Sequence, residues 1–339
     1  MSRITQRDIA RLAGVSQATV SQVLNNRHDS TTRLSPETRQ RVLAVIRETG
    51  YAANPAARQL VRRRNEILGV FTYEPVFPSG SADFYHPFLI GIEDRAEQLG
   101  CDLLLFTSAP VTGGTRRIFH ENNRLRIADG CLLLGREIPG EELAQLIRTE
   151  YPFVAIGRRD DAGGPVPYVG ADYATATRAL VGRAKHAGHR AMAYVGAGEG
   201  AESAVDRMRG FLDATNGEGL HVPIEGRDVA ATLTTLRASG VTAAFMEDIA
   251  DGIALVAEAR ARGLKVPDDM SVIALGDPTR PVQTDLEFTG FRIPRRQMGQ
   301  QAVDVLADRL EDEAAEGQRL LPCELVEGQT LGTPRKDTK

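Results

Sequence analysis

Ile9-Ala10-Arg11-Leu12-Ala13-Gly14-Val15-Ser16-Gln17-Ala18-Thr19-Val20-Ser21 places apolar residues at helical spacing on both sides of a short break containing glycine. Just upstream, Thr5-Gln6-Arg7-Asp8 has the form of a capping box, in which Thr5 accepts the backbone N–H near Asp8 and the carboxylate returns the bond. Ile9, Leu12 and Ala13 form one apolar face of the helix that follows. Gly14-Val15 ends that helix, Ser16 is an N-cap candidate for the next, and Val20, Val23 and Leu24 face inward from it. Downstream, Ser35-Pro36-Glu37 supplies a cap and a proline at the first helical position; Val42, Leu43 and Ile46 supply the face, and Gly50 the close. Helix, tight turn, helix, loop, helix predicts an all-α helix-turn-helix headpiece over residues 1–53.

Charge patterning agrees with that reading. Residues 1–66 hold twelve arginines, no lysine and five acids, a formal +7, so the overall charge of −4 leaves the remainder at −11. A basic end on an acidic body points to one segment that seeks polyanions and a second part with another task. Between them, Asn54-Pro55 opens a two-turn helical stretch that runs into Arg62-Arg63-Arg64, a hinge helix and linker over 54–65.

From Glu66 onward, strand-length apolar runs alternate with amphipathic stretches. The strands expected are Ile67–Phe71, Asp102–Phe106, Gly130–Leu134, Phe153–Ile156, Ala191–Val195, Thr242–Phe245 and Ser271–Ala274. Helices are expected around Phe88–Leu99, Ala174–Ala187, Ser203–Ala214 and Gly252–Arg262. Continuous apolar strands interleaved with helices predict parallel sheets covered on both faces. Seven strands over so long a stretch read as two α/β lobes, with Pro165–Asp172 as a crossing between them. Ligands in such sheets bind beyond the carboxyl ends of the strands, here the loops after Phe71, Ile156, Val195 and Phe245.

With 42% apolar and 25% charged residues in 339, the composition is that of a globular protein. No apolar run reaches the roughly 20 residues of a membrane span, and the first residues lack the apolar core of an export signal. A cytoplasmic, nucleoid-associated protein with no membrane partner is therefore expected. Three widely spaced cysteines form no zinc or redox motif. His186 and His189 have no evident third ligand, and Gly196-Ala197-Gly198-Glu199-Gly200 lacks the spacing of a dinucleotide loop. No P-loop or nucleophile elbow is present, so neither metal, cofactor nor catalysis is expected.

The quoted run resembles the signature of the lactose/galactose repressor family. Ser35-Pro36-Glu37-Thr38-Arg39, Gly50-Tyr51 and Asn54 with Ala57-Arg58 and Leu60 are similar to its third helix and hinge helix; Gly188-His189-Arg190, Arg207-Met208-Arg209-Gly210-Phe211, Glu247-Asp248 and Met298-Gly299 resemble landmarks of its effector domain. The resemblance implies a dimeric transcription factor whose two-lobed body, similar to a periplasmic sugar-binding protein, binds a small sugar-like effector that controls DNA binding. The body would occupy 66–339, lobe 1 being about 66–170 and 297–323 and lobe 2 about 171–296 and 324–339. Four departures stand out. Gln22 replaces the usual Arg after Thr-Val-Ser, and the loop Arg27–Leu34 is longer than common. Glu247-Asp248 replaces Asn-Asp, and a commonly paired acid has become Gly276-Asp277.

The start of the second helix of a helix-turn-helix enters the major groove, which makes Gln17, Ala18 and Gln22 the expected base readers on a palindromic operator. Ser16, Thr19, Ser21, Asn25 and Arg62 suit phosphates, unless these are only solvated residues. By the resemblance, Leu60 wedges into the minor groove with Ala57 beside it, the alternative being an ordinary linker. For the effector, Arg158, Arg207 and Asp248 follow strand ends, and Tyr73 or Phe84 offers a ring to stack on a sugar. Surface salt bridging is the alternative for the charged three, and Asp172 reads as a helix cap. A solute-binding protein of a transport system would share the body, but it has no use for a basic headpiece. The chain's end lacks the apolar heptads of a tetramerising coiled coil, so a homodimer is expected.

Overall fold

The computed structural model describes residues 4–24, 34–51, 65–74, 82–112, 115–224, 228–278 and 284–335, which separate into two compact units, Met1–Asn65 and Glu66–Lys339. The expected sites Asn25, Ala57, Leu60 and Arg62, with most of the hinge and of the loop Arg27–Leu34, lie outside the described residues.

In the first unit, α1 (Gln6–Ala13), α2 (Gln17–Leu24) and α3 (Pro36–Thr49) form a three-helix headpiece. The capping box is made in both directions: the Thr5 amide donates to Asp8 Oδ2 at 3.0 Å and the Asp8 amide to Thr5 Oγ1 at 3.4 Å. Gly14 takes the left-handed conformation, φ 64°, that ends α1. Arg41 of α3 donates to the carbonyl of Ala13 at 2.9 Å, satisfying an orphan acceptor at that terminus. Ile9, Ala10, Ala13, Val20, Val23 and Val42 make the core. Two face assignments are corrected. Leu12 is 57% exposed and Leu43 is 36% exposed. At about 100° per residue the buried stripe of α1 centres on Ala13, between Ile9 and Ala10, which leaves Leu12 about a quarter turn outside it. Leu43 is likewise rotated away from Val42.

The second unit holds two six-stranded sheets. In lobe 1 the strands are β1 (Ile67–Thr72), β2 (Asp102–Phe106), β5 (Gly130–Leu134), β6 (Phe153–Ile156), β7 (Tyr168–Ala171) and β13 (Gln318–Leu321). All pairings are parallel, in the order β13-β7-β6-β5-β1-β2. A two-stranded hairpin, β3 (Val111–Thr112) with β4 (Thr115–Arg116), lies apart from this sheet. Lobe 2 has β8 (Met192–Val195), β9 (Leu220–Val222), β10 (Ala243–Met246), β11 (Ser271–Ala274), β12 (Gly290–Arg292) and β14 (Glu324–Val326). Their order is β14-β12-β11-β10-β8-β9, and only β14 runs antiparallel. All seven expected strands occur, and each begins and ends within a residue of its predicted limits.

Lobe 1 carries α4 (Ala82–Leu99), α5 (Gly140–Arg148) and α10 (Arg295–Glu311); lobe 2 carries α6 (Tyr173–His186), α7 (Glu202–Thr215), α8 (Val229–Ala238) and α9 (Ile249–Ala261). The chain passes between lobes three times: at Asp172 between β7 and α6, at Ile293-Pro294 between β12 and α10, and at Pro322-Cys323 between β13 and β14. The segment Pro165–Asp172 thus contains a buried lobe-1 strand as well as the first crossing. α4 and α10 touch backbone to backbone, since a Cβ on Gly91 would sit 2.0 Å from the Arg296 carbonyl oxygen and one on Gly299 2.3 Å from that of Phe88. No helix among the described residues is long and apolar enough to cross a membrane.

Candidate functional site

Both sheets point the carboxyl ends of their parallel strands at a cleft of about 750 Å³ lined by residues from the two lobes. Lobe 1 contributes the first turns of α4 (Phe84, Tyr85, Phe88) and the segments after β5 and β6 (Arg136, Glu137, Arg158, Arg159). Lobe 2 contributes Tyr173, Arg207 on α7, Glu247-Asp248 after β10 and Gly276-Asp277 after β11; Arg295 stands at the second crossing, at the start of α10.

Most of the charge in this wall is paired. Arg158 Nε donates to Asp206 Oδ2 at 2.6 Å and Nη1 to Asp160 Oδ1 at 2.5 Å. Burial disfavours the Arg158 cation, but the bonds to these two carboxylates outweigh it and raise its pKa above the usual guanidinium value. Arg159 Nη1 reaches Glu202 Oε2 at 2.9 Å while Nη2 holds the Gly135 carbonyl at 2.6 Å. Arg158 and Arg159 follow a lobe-1 strand, whereas Asp206 and Glu202 sit one turn apart on α7, so two ion pairs bridge the lobes side by side. At the crossing, Arg295 Nη1 meets Asp277 Oδ2 at 2.7 Å.

Arg207 is held differently. It is 8% exposed, its Nε donates to the Leu275 carbonyl at 2.6 Å and its Nη1 to that of Ser203 at 2.8 Å. The guanidinium lies over the Tyr173 ring at 4.0 Å, with Phe291 at 6.0 Å, and burial pushes the Tyr173 hydroxyl up so that it stays neutral. Glu247 Oε2 accepts from the Tyr194 hydroxyl at 2.7 Å and the Gly198 amide at 2.8 Å.

Four of the five expected effector contacts reach the cleft. Phe84, Arg158, Arg207 and Asp248 line it, with Arg136 seated over the Phe84 ring at 5.0 Å. The Asp248 carboxylate also caps α9 through the Ala250 amide at 2.9 Å. Tyr73 is the correction. It is fully buried in the lobe-1 core, packed edge-on against Phe71 at 5.0 Å, and does not line the cleft. Strand alternation explains this, because Tyr73 continues the Phe71 face of β1 while Leu68 and Val70 occupy the other. Asp172 caps α6 through the Thr175 amide at 3.0 Å, as its position before the helix suggests. Arg159, Asp277 and Arg295 had not been singled out as site residues. The Arg158-Arg159 doublet and the departures at 247 and 276–277 were the available signals; Tyr173 had none.

In the headpiece, Gln17 and Ala18 are exposed at the start of α2, Gln22 is half-buried one turn later, and Gln17 donates to Gln6 Oε1 at 3.3 Å. Ser16 Oγ caps α2 through the Thr19 amide at 3.1 Å and bonds the Thr19 hydroxyl at 2.9 Å. Ser21 is half-buried.

A profile described as "Bacterial regulatory proteins, lacI family" matches residues 5–54, and one described as "Periplasmic binding protein-like domain" matches residues 181–331. Over 336 residues the chain is 30% identical to the HTH-type transcriptional regulator CelR of Thermobifida fusca, covering 94% of this chain and 95% of that protein. It is 26% identical to the HTH-type transcriptional repressor CytR of Escherichia coli strain K12, with 97% of each covered. Among solved structures it superposes on the Lac repressor dimer bound to operator and the anti-inducer ONPF with a TM-score of 0.71 at 21% identity, covering 98% of this chain and all of that one. On the CelR–cellobiose complex the TM-score is 0.61 at 25% identity, covering 97% of this chain and all of that one.

Proposed function

The chain belongs to the lacI family of bacterial regulatory proteins, and on that premise we propose that it is a sequence-specific transcriptional repressor whose grip on DNA responds to a small effector held between its lobes. The observation that carries this reading is one chain holding both a helix-turn-helix, with Gln17 and Ala18 exposed at the start of its second helix, and a two-lobed unit whose strand ends converge on a polar cleft. Gln17, Ala18 and Gln22 read bases; Ser16, Thr19, Ser21, Asn25 and Arg62 hold phosphates; Ala57 and Leu60 enter the minor groove. The last group, Asn25 and Arg62 rest on the sequence alone.

The solved dimer of one family member on its operator supports a homodimer and a palindromic site, and the cellobiose complex of CelR supports a sugar-like effector. A protein with this task works in the cytoplasm, at the nucleoid, without a catalytic step. Gel-shift titration on duplex DNA from upstream of its own gene tests the reading. A retarded band that resists random competitor DNA is expected; equal competition by random duplex would remove the claim to sequence specificity.

A further inference from the structure

Three of the cleft arginines carry their own carboxylates: Arg158 has Asp206 and Asp160, Arg159 has Glu202, and Arg295 has Asp277. A fourth, Arg136, is exposed and seated over Phe84. Arg207 is more than nine-tenths buried, yet no carboxylate among the described residues lies within ion-pair distance of it. Its two hydrogen bonds go to neutral backbone carbonyls, and the Tyr173 and Phe291 rings close its other sides. Removing a cation from water without a counter-charge is costly.

The gap in compensation has a location. Nη2 of Arg207 faces Gly276, where even a Cβ would sit 3.7 Å away. An aspartate side chain at 276 would stand against this guanidinium. Glycine puts no side chain there, Ile293 Cδ1 borders the same point at 3.6 Å, and the neighbouring Asp277 is turned to Arg295 instead. On the adjacent strand end, Glu247 is anchored through Oε2. Its Oε1 makes no hydrogen bond among the described residues and lies in the cleft wall, so it can accept from a hydroxyl.

We infer that the effector carries an oxyanion, a carboxylate or a phosphate, which docks on Arg207 in the space above Gly276 while its hydroxyls reach Glu247. This deepens the effector reading given above and rests on it. A guanidinium fork suits either anion, and a charge-assisted bond in a site walled by aromatic rings is stronger than its neutral counterpart.

The test titrates the full-length protein at constant ionic strength with glucuronate, glucose 6-phosphate, inorganic phosphate and glucose, following heat on wild type, Arg207→Gln and Arg207→Lys. At least one acid should bind about tenfold or more tighter than glucose. Arg207→Gln should remove that preference. Arg207→Lys keeps the charge and the aliphatic stem over Tyr173, so it should retain part of the preference and guards against loss by misfolding. Glucuronate and glucose 6-phosphate together show which oxyanion the site takes. Glucose binding as tightly as the acids, or acids binding Arg207→Gln undiminished, overturns the inference. Glucose binding alone does so too, while leaving the cleft an effector site for neutral sugars. Binding of none of the four overturns it and counts against the cleft as well.

Discussion

Arg158 and Asp206 meet at 2.6 Å across the lobe boundary, the carboxylate side chain 4% exposed and the guanidinium side chain 16% exposed. One follows a lobe-1 strand and the other belongs to a lobe-2 helix, so the pair ties the two lobes together beside the cleft. Asp206 is also gripped by Arg209 at 2.9 Å.

Asp206→Ala should cost about 2 kcal/mol of unfolding free energy, because it leaves a largely buried guanidinium with only the exposed Asp160 as counter-charge. Urea denaturation measures this. A loss below about 1 kcal/mol would place the pair with ordinary exposed bridges.

His189 gives the fold a pH dependence. Its ring is bonded to the Gly332 carbonyl and the Thr242 hydroxyl, both at 2.9 Å, and burial holds its pKa below 6.5 although the Gly332 carbonyl favours the charged form. The unfolded chain takes up a proton near pH 6.5 and the folded one only at lower pH. Stability from this group is therefore complete above 6.5 and declines as pH falls below it. His189→Gln should flatten the slope of melting temperature between pH 7.5 and 5; an unchanged slope would assign the dependence elsewhere.

Gly91→Ala should destabilise by about 3 kcal/mol, since its new methyl meets the Arg296 carbonyl oxygen at 2.0 Å and the two helices must part. Gly182→Ala, where nothing lies within 4 Å of the added carbon, is the control and should be neutral or slightly stabilising. Equal melting temperatures for both variants would contradict the close packing of α4 and α10.

Gln22→Arg should move the preferred base at one symmetric position of each half-site, with a discrimination of roughly 1–3 kcal/mol, because glutamine pairs best with adenine and arginine with guanine. Selection from a random duplex library reads this directly. An identical consensus for both proteins would take Gln22 out of the base-reading set.

The strands were legible because a strand buried on both faces needs an unbroken apolar run, and Gly130–Leu134 or Ser271–Ala274 leaves no other reading. β12 and β14 were not, since strands of three residues with polar ends such as Arg292 and Glu324 are held by their neighbours. The headpiece showed itself through its caps. Leu12 and Leu43 misled because a short helix buries only one stripe, and side-chain size does not say which. For the cleft, the sequence marked strand ends and hence Arg158, Arg207 and Asp248. It gave no means of separating Tyr73 from Phe84, because one residue of register decides whether a ring enters the core or the cleft.

The three crossings set the order in which the protein can be completed during synthesis. The first five strands of lobe 1 leave the ribosome before any of lobe 2, yet α10 packs against β5, β6 and β7 and supplies Met298, Ala302, Val303 and Leu306 to the same core. That helix is made only after the segment from Asp172 to Pro294 has been translated, at about 5–20 residues per second a delay of roughly 6–25 s. Throughout that interval the face of the parallel sheet bearing Leu68, Val70, Leu132 and Val154 has only α4, through Tyr85, Phe88, Ile92 and Ala96, to share its core. Lobe 1 is thus incomplete until the last helix arrives, and a chain cut short before residue 295 lacks part of the lobe-1 core rather than forming a smaller effector domain.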